Sequence, residues 1–252
     1  DEEASFVTTL GREDQFISPP DLRDLVEAHH VQSRQISLPI SGDITLTFIQ
    51  AAPDEGNADI VRQVEEAIVE IEEFIGVPFP TTEVILLFTS GNAPIFQSDW
   101  RGLHRGIHMV VQRGLARQGD TNRVLIHEVG HYYWGSSEVP LWFREGGPDF
   151  LSSYVRDKLY GDSLEERAIY DLNQLYQYCS SINMGTLQKL IERLESVGYS
   201  EFSESSLFSC NYYVGENFFY QVYSALGADS FRSAWAELYI LSQVEDRQIT
   251  EE

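Results

Sequence analysis

The segment His127-Glu128-Val129-Gly130-His131 constrains this chain more than any other, because it sets two histidines four residues apart inside an apolar run. On a helix, residues four apart share a face. Both imidazoles then project side by side, in position to ligate one metal ion, and Glu128 can reach a water held on that ion. Such a centre makes a further demand on the fold. Two ligands from one helix under-coordinate an ion, so a second element must fold back and supply a third. The simplest consequence is a zinc hydrolase with one catalytic ion.

Two acids compete for the third position. Glu138 lies in the short connection SSEVP after His131, and Glu145 lies in PLWFREGGPDFLSSY. A metzincin would place Gly and His three and six residues after the second histidine; Trp134 and Ser137 stand there, which excludes that class. Gly135 reads as the stop of the first helix and Pro140 as an early residue of the next. The second helix can therefore fold back and present Glu145, the favoured ligand. Asp149, one turn further on, is placed to accept the N–H of a ligating histidine, which fixes the tautomer and raises ligand basicity. Gly146, Gly147 and Pro148 weaken that helix just beyond the ligand.

On these residues the chain resembles the gluzincin branch of metallopeptidases, the thermolysin-like and alanyl-aminopeptidase-like families of the peptidase MA-like group, with two His on one helix and a Glu on the next. VPLWFREGG is similar to the Pro-x-Trp-x-x-Glu-Gly segment around their third ligand. Nearer the C-terminus, Tyr213 is followed by a helical run ending in Leu226-Gly227 and then by Phe231. Aminopeptidase-like gluzincins have a Tyr-x-x-Gly segment, a helix, a Leu-Gly and a Phe, and that tyrosine assists catalysis. Counted from Tyr213, the fourth motif position is Glu216, with Gly215 one residue early; Tyr212 is the alternative. The resemblance runs from Asp120 to about Trp235. It implies a thermolysin-like catalytic domain with zinc on His127, His131 and Glu145, Glu128 as general base, Tyr213 as oxyanion donor and a peptide or protein substrate.

Two departures bear on the cut. The interval from His131 to Glu145 is shorter than in those families, so the connecting subdomain is compact. No Gly-x-Met-Glu-Asn motif, whose glutamate grips a substrate's free amine, precedes Thr121. Residues 106–112 occupy that place and read as an edge strand on which an extended peptide can pair. The missing acid favours an endopeptidase. The alternatives are an aminopeptidase of the same fold and a non-catalytic metal-bound interaction module.

Forty acidic residues against seventeen basic give a formal net charge of −23, which argues against nucleic acid and anionic membranes as partners. The acidic surface serves solubility or selects cationic peptides. No apolar run approaches the ~20 residues of a membrane span. The chain starts at Asp1 with no signal-peptide core, so a processed, soluble form is expected, with secreted or extracytoplasmic location open. Cys179 and Cys210, the two cysteines, either form one disulfide or stay as buried thiols.

Hydrophobic periodicity predicts an α+β fold: a mixed α/β lobe with a small sheet over 1–119 and a mainly helical lobe over 120–252, together one catalytic unit with the zinc site at their junction. His29 and His30 are expected on a first helix in the polar N-terminal stretch. Residues 35–40 and 44–50 flank Ser41-Gly42-Asp43 as a hairpin. An amphipathic helix over 57–76 carries apolar residues at 60, 64, 67, 68, 71, 74 and 75. A buried strand is expected at 83–88 and a loop at 90–104. Besides the two motif helices, helices are expected at 164–178, 186–196, 212–226 and 229–241, before a polar tail. His104 and His108 are assigned no role.

Overall fold

The computed structural model describes residues 30–50, 57–89, 102–112, 121–134, 139–179 and 206–244. Strands β1 (His30–Leu38) and β2 (Gly42–Gln50) form the expected hairpin, paired from His30↔Gln50 to Leu38↔Gly42. His30 thus opens a strand rather than lying on a helix, and His29 lies outside the described residues. Helix α1 (Asn57–Ile75) follows, and the seven apolar positions of its stripe, Ile60, Val64, Ala67, Ile68, Ile71, Phe74 and Ile75, are all buried. One acid on it is also buried. Glu72 accepts the backbone N–H groups of Ile40 (2.9 Å), Ser41 (3.0 Å) and Phe79 (3.0 Å), which satisfies its charge and pins the hairpin turn to the helix.

Strands β3 (Glu83–Thr89), β4 (Gly102–Arg105) and β5 (His108–Gln112) complete a five-stranded mixed sheet of order β1-β2-β3-β5-β4. Its centre is parallel and both ends are antiparallel. Side chains alternate between faces. Leu46, Phe48, Val84, Leu86, Met109 and Val111 join the main core with α1, while Ile49, Ile85, Leu87 and Val110 form a smaller cluster.

Two expectations about this region are corrected. Residues 106–112 are not the sheet edge, because β5 pairs with β3 on one side and β4 on the other. The edge on that side is β4, inside the stretch expected to be a loop. Gly106, at φ 62°, reverses the chain after Arg105 and folds β4 back along β5. The remainder of the expected loop, 90–101, lies outside the described residues, as do Gly135, Glu138, the 186–196 helix and the N-terminal stretch.

Beyond residue 120, the described residues are mainly helical. Helix α2 (Thr121–Trp134) is buried from Leu125 to Trp134, so it must satisfy its polar groups within the protein. Tyr132 donates to the Ile107 carbonyl (2.8 Å) and Tyr133 to the Val77 carbonyl (3.0 Å), tying α2 to the β4–β5 turn and to the connection after α1. Helix α3 (Leu141–Tyr160) starts at Pro140 and stops at Gly161, whose φ of 75° suits glycine. It runs unbroken through Gly146, Gly147 and Pro148, where the sequence predicts weakening. Tertiary packing outweighs propensity there: Pro148 lies against Gly130 of α2, and Gly147 lies beside Phe219, Trp134 and Trp235.

Helix α4 (Leu164–Gln174), capped by Ser163, ends in a π-type turn at Leu175–Cys179. Helix α5 (Ser206–Leu226) begins earlier than the expected residue 212, and α6 (Ala228–Tyr239) adds Phe231, Trp235 and Tyr239 to an aromatic core with Phe74, Phe150 and Phe219. Cys179 and Cys210 are joined as a disulfide, which fixes the start of α5 to the end of α4. Closing a loop between residues 31 apart in sequence is worth roughly 3–4 kcal/mol in chain entropy.

The α3–α5 crossing depends on glycine at both helices. A Cβ on Gly215 would lie 2.0 Å from the Trp142 carbonyl oxygen and 2.6 Å from Gly146 Cα. Gly215→Ala should therefore lower stability by about 3 kcal/mol or more, by overpacking against backbone. Gly147→Ala, whose nearest neighbour would be a Trp235 ring atom at 3.5 Å, should stay within about 1 kcal/mol of the unsubstituted protein. Thermal denaturation of both variants checks the contrast.

Candidate metal centre

Three helices assemble the site, each using residues one turn apart. Arg123, His127 and His131 line one face of α2; Glu145, Asp149 and Ser153 line the facing side of α3. The helices run in opposite directions, so His131 meets Glu145, His127 meets Glu145 and Asp149, and Arg123 meets Asp149 and Ser153. A Cβ on Gly130 would stand 2.8 Å from Pro148 Cα, so the glycine inside the histidine motif is what lets the two backbones approach.

The donor atoms converge. His127 Nε2 and His131 Nε2 are 3.0 Å apart, and Glu145 Oε2 lies 3.5 Å from the first and 3.4 Å from the second. Ligands at the usual zinc distances, in tetrahedral array, stand about 3.3 Å from one another. The residues present therefore fit a zinc ion. These three are the one group of convergent His, Cys, Asp and Glu donors found among the described residues.

Asp149 Oδ1 accepts from His127 Nδ1 at 2.7 Å, which leaves His127 Nε2 directed at Glu145 and His131. The field at this point favours positive charge. Burial opposes protonation of His127, but Asp149, then Glu145 and Glu128, raise its pKa to about 10. Glu145 is held well below the ordinary carboxylate range, His131 and His127 outweighing its burial. Glu128 moves the other way, pushed up by burial although both histidines oppose the shift.

Tyr212, not Tyr213, is the tyrosine at the centre. Its ring lies 5.7 Å from that of His127, and burial followed by the charge of Glu145, to which it hydrogen-bonds, raises its pKa well above the usual phenol value. Tyr213 points elsewhere, half-buried near Tyr170 and Arg167. The physical reason is the Gly146–Gly215 contact, which fixes the roll of α5 and turns toward α3 the residue one turn before Gly215. Read from Tyr212, the sequence Tyr-Tyr-Val-Gly215 satisfies Tyr-x-x-Gly in full, so the signal was present one residue upstream.

Residues without an assigned role also gather here. Arg123 and Glu216 form an ion pair at 2.6 Å beneath Asp149, and Arg167 reaches Glu216 (3.4 Å) and Asp171 (2.8 Å). Burial, then Glu216, pushes Asp171 up to about 9, consistent with three acids sharing two guanidiniums. Extending each helical face by one turn, from His127 back to Arg123 and from Tyr212 on to Glu216, would have found both. His104, on the edge strand, stacks on His131 with ring centroids 5.8 Å apart, and burial with His131 lowers its pKa to about 3.

No family model matches the chain, and no curated protein matches it either. The fold is similar to solved structures. One is an M1 zinc metallopeptidase from Deinococcus radiodurans, with 13% identity and a TM-score of 0.55, matching over 88% of this chain and 46% of that one. Another is an aminopeptidase N family protein from Idiomarina loihiensis (12%, TM-score 0.59, 88% and 42%). A third is Legionella pneumophila aminopeptidase A in complex with aspartic acid (14%, TM-score 0.55, 87% and 24%). The chain thus spans less than half the length of each of these structures, and the likeness shows a shared fold.

Metal and proton compete for His127 Nε2, since a ligating imidazole must give up that proton. The folded pKa is raised above its unfolded value of about 6.5. In metal-free protein, the protonated ring therefore contributes stability that is fully present below that value and lost as pH rises through about 10. Zinc affinity should tighten with pH across the same window. Calorimetry at pH 7.5 in buffers of differing ionisation enthalpy should detect about one proton released by His127 per ion bound; no release would contradict the raised pKa.

Proposed function

We propose that this chain is a zinc-dependent peptidase that hydrolyses peptide bonds at the centre formed by His127, His131 and Glu145. The observation that carries the proposal is the convergence of their three donor atoms at 3.0–3.5 Å. An ion bound there would supply Lewis acidity and a water of lowered pKa. Glu128, its pKa raised by burial, is suited to take a proton from the attacking water and return it to the departing amine. Tyr212, kept protonated by its burial and by Glu145, is suited to donate its phenolic hydrogen to the oxygen of the scissile carbonyl as charge builds there. Asp149 holds the His127 ring through Nδ1.

We read residues 1–119 and 120–252 as two lobes of one catalytic unit with the metal at their junction. The contact of His104, on β4, with His131, on α2, supports that layout. The aminopeptidase alternative fits the names of the structural neighbours better than an endopeptidase does. The endopeptidase reading keeps one argument: the edge strand β4, Gly102-Leu-His-Arg105, carries no acid to grip a substrate's free amine. Among the described residues, no helix is long and apolar enough to cross a membrane. The Cys179–Cys210 bridge supports an oxidising, extracytoplasmic setting.

Incubation of zinc-loaded protein with a diverse peptide mixture, followed by mass spectrometry, tests the proposal. Stepwise loss of N-terminal residues would identify an aminopeptidase and internal cuts an endopeptidase. Glu128→Gln should abolish either pattern while retaining zinc. Tyr212→Phe should lower kcat about 10²–10³-fold, and Tyr213→Phe no more than about threefold. Absence of cleavage by the unsubstituted protein would overturn the peptidase reading in favour of a metal-bound interaction module.

A further inference from the structure

One turn before His127 on α2, Arg123 projects its guanidinium into a buried space between α3 and α5. Its Nη2 lies 3.2 Å from Asp149 Oδ2 and 2.6 Å from Glu216 Oε2, and its Nη1 donates to Ser153 Oγ at 3.2 Å. Ser153 in turn donates to Glu216 Oε1, and the Arg123 carbonyl accepts from Ser152 Oγ at 2.9 Å. The arginine is thus fixed at both its backbone and its fork.

Asp149 divides its two oxygens, Oδ1 to His127 Nδ1 at 2.7 Å and Oδ2 to Arg123. A carboxylate held at one oxygen can pivot about its terminal torsion, which is broad for aspartate. Held at both, its plane is fixed, and with it the plane of the imidazole it grips. Lysine could reproduce the arrangement only in part, because a single ammonium keeps the charge but lacks the planar fork that contacts two carboxylates and a hydroxyl together. Glu216 lies one turn after Tyr212 on α5, so the same arginine also ties the helix carrying that tyrosine to the two helices carrying the metal ligands.

We propose that Arg123, itself held by Glu216, is a positioning residue for the metal centre: by fixing both oxygens of Asp149, it sets the orientation of His127 and so the affinity for zinc. The proposal rests on the metal-centre reading above. Supporting partners of ligating histidines commonly change metal affinity 10–100-fold when removed, and Arg123 acts one step behind such a partner.

Zinc affinity, measured by competition with a chromophoric chelator, is compared in the full chain, Arg123→Gln, Asp149→Ala and the double variant, alongside the thermal midpoint of each metal-free protein. Arg123→Gln should weaken zinc binding about tenfold in the otherwise unsubstituted chain, but less than about twofold in the Asp149→Ala background, because its effect passes through that carboxylate. Arg123→Lys should recover part of the affinity and carries the test if the glutamine variant does not fold. Equal losses in both backgrounds, or a lowered thermal midpoint with unchanged affinity, would overturn the proposal and leave Arg123 a structural residue. Failure of the unsubstituted protein to bind zinc would instead remove the metal-centre reading, and the proposal with it.

Discussion

The antiparallel contact between α2 and α3 is the constraint on which the rest depends. Residues repeating every fourth position on both helices meet in matched steps: His131 with Glu145, His127 with Asp149, Arg123 with Ser153. The match requires backbones close enough for short side chains to touch, and Gly130 against Pro148 provides that closeness. Glycine and proline are poor choices for helix interiors judged by propensity alone. Here they are placed where packing distance matters more, and the surrounding aromatic core of Trp134, Phe143, Phe150, Phe219 and Trp235 offsets their cost.

A third helix, α5, is locked to this pair by the Gly146–Gly215 contact, and the disulfide at Cys210, two residues before Tyr212, ties its start to the end of α4. Position and charge are settled together. Glu145 and Glu128, the acids that would balance a bound cation, lie beside the histidines, while Asp149, Glu216 and Asp171 are met by Arg123 and Arg167. Buried charge is costly unless paired. That pairing lets Asp149 remain ionised against its burial, with Arg123 and then His127 holding its pKa well below the usual range. His104, neutral and packed on His131, adds no positive charge beside the ligands.

Much of this was legible in the sequence, and the gaps have identifiable causes. Period 3.6 placed the buried stripe of α1 residue by residue, because a long amphipathic helix reports its own face. Spacing within the histidine motif and from Glu145 to Asp149 put those side chains on shared faces of two adjacent helices. What failed needed information about neighbours. Whether 106–112 was an edge depended on a four-residue strand too short to show a pattern. The choice between Tyr212 and Tyr213 depended on the roll of α5, which a glycine contact with another helix decides. Arg123 and Glu216 lie one turn beyond the helical faces that the motifs define, and only the third dimension shows that they share a buried ion pair.

X-ray absorption at the zinc edge of the metal-loaded protein tests most directly the claim that these two helices build a metal centre. The account predicts two imidazole nitrogens at about 2.0–2.1 Å with oxygen in the remaining positions, at about 2.0–2.2 Å for a carboxylate. Glu145→Gln should change the oxygen shell, and Glu128→Gln should leave both imidazoles in place. A shell with fewer than two imidazoles, or one containing sulfur at about 2.3 Å, would contradict it.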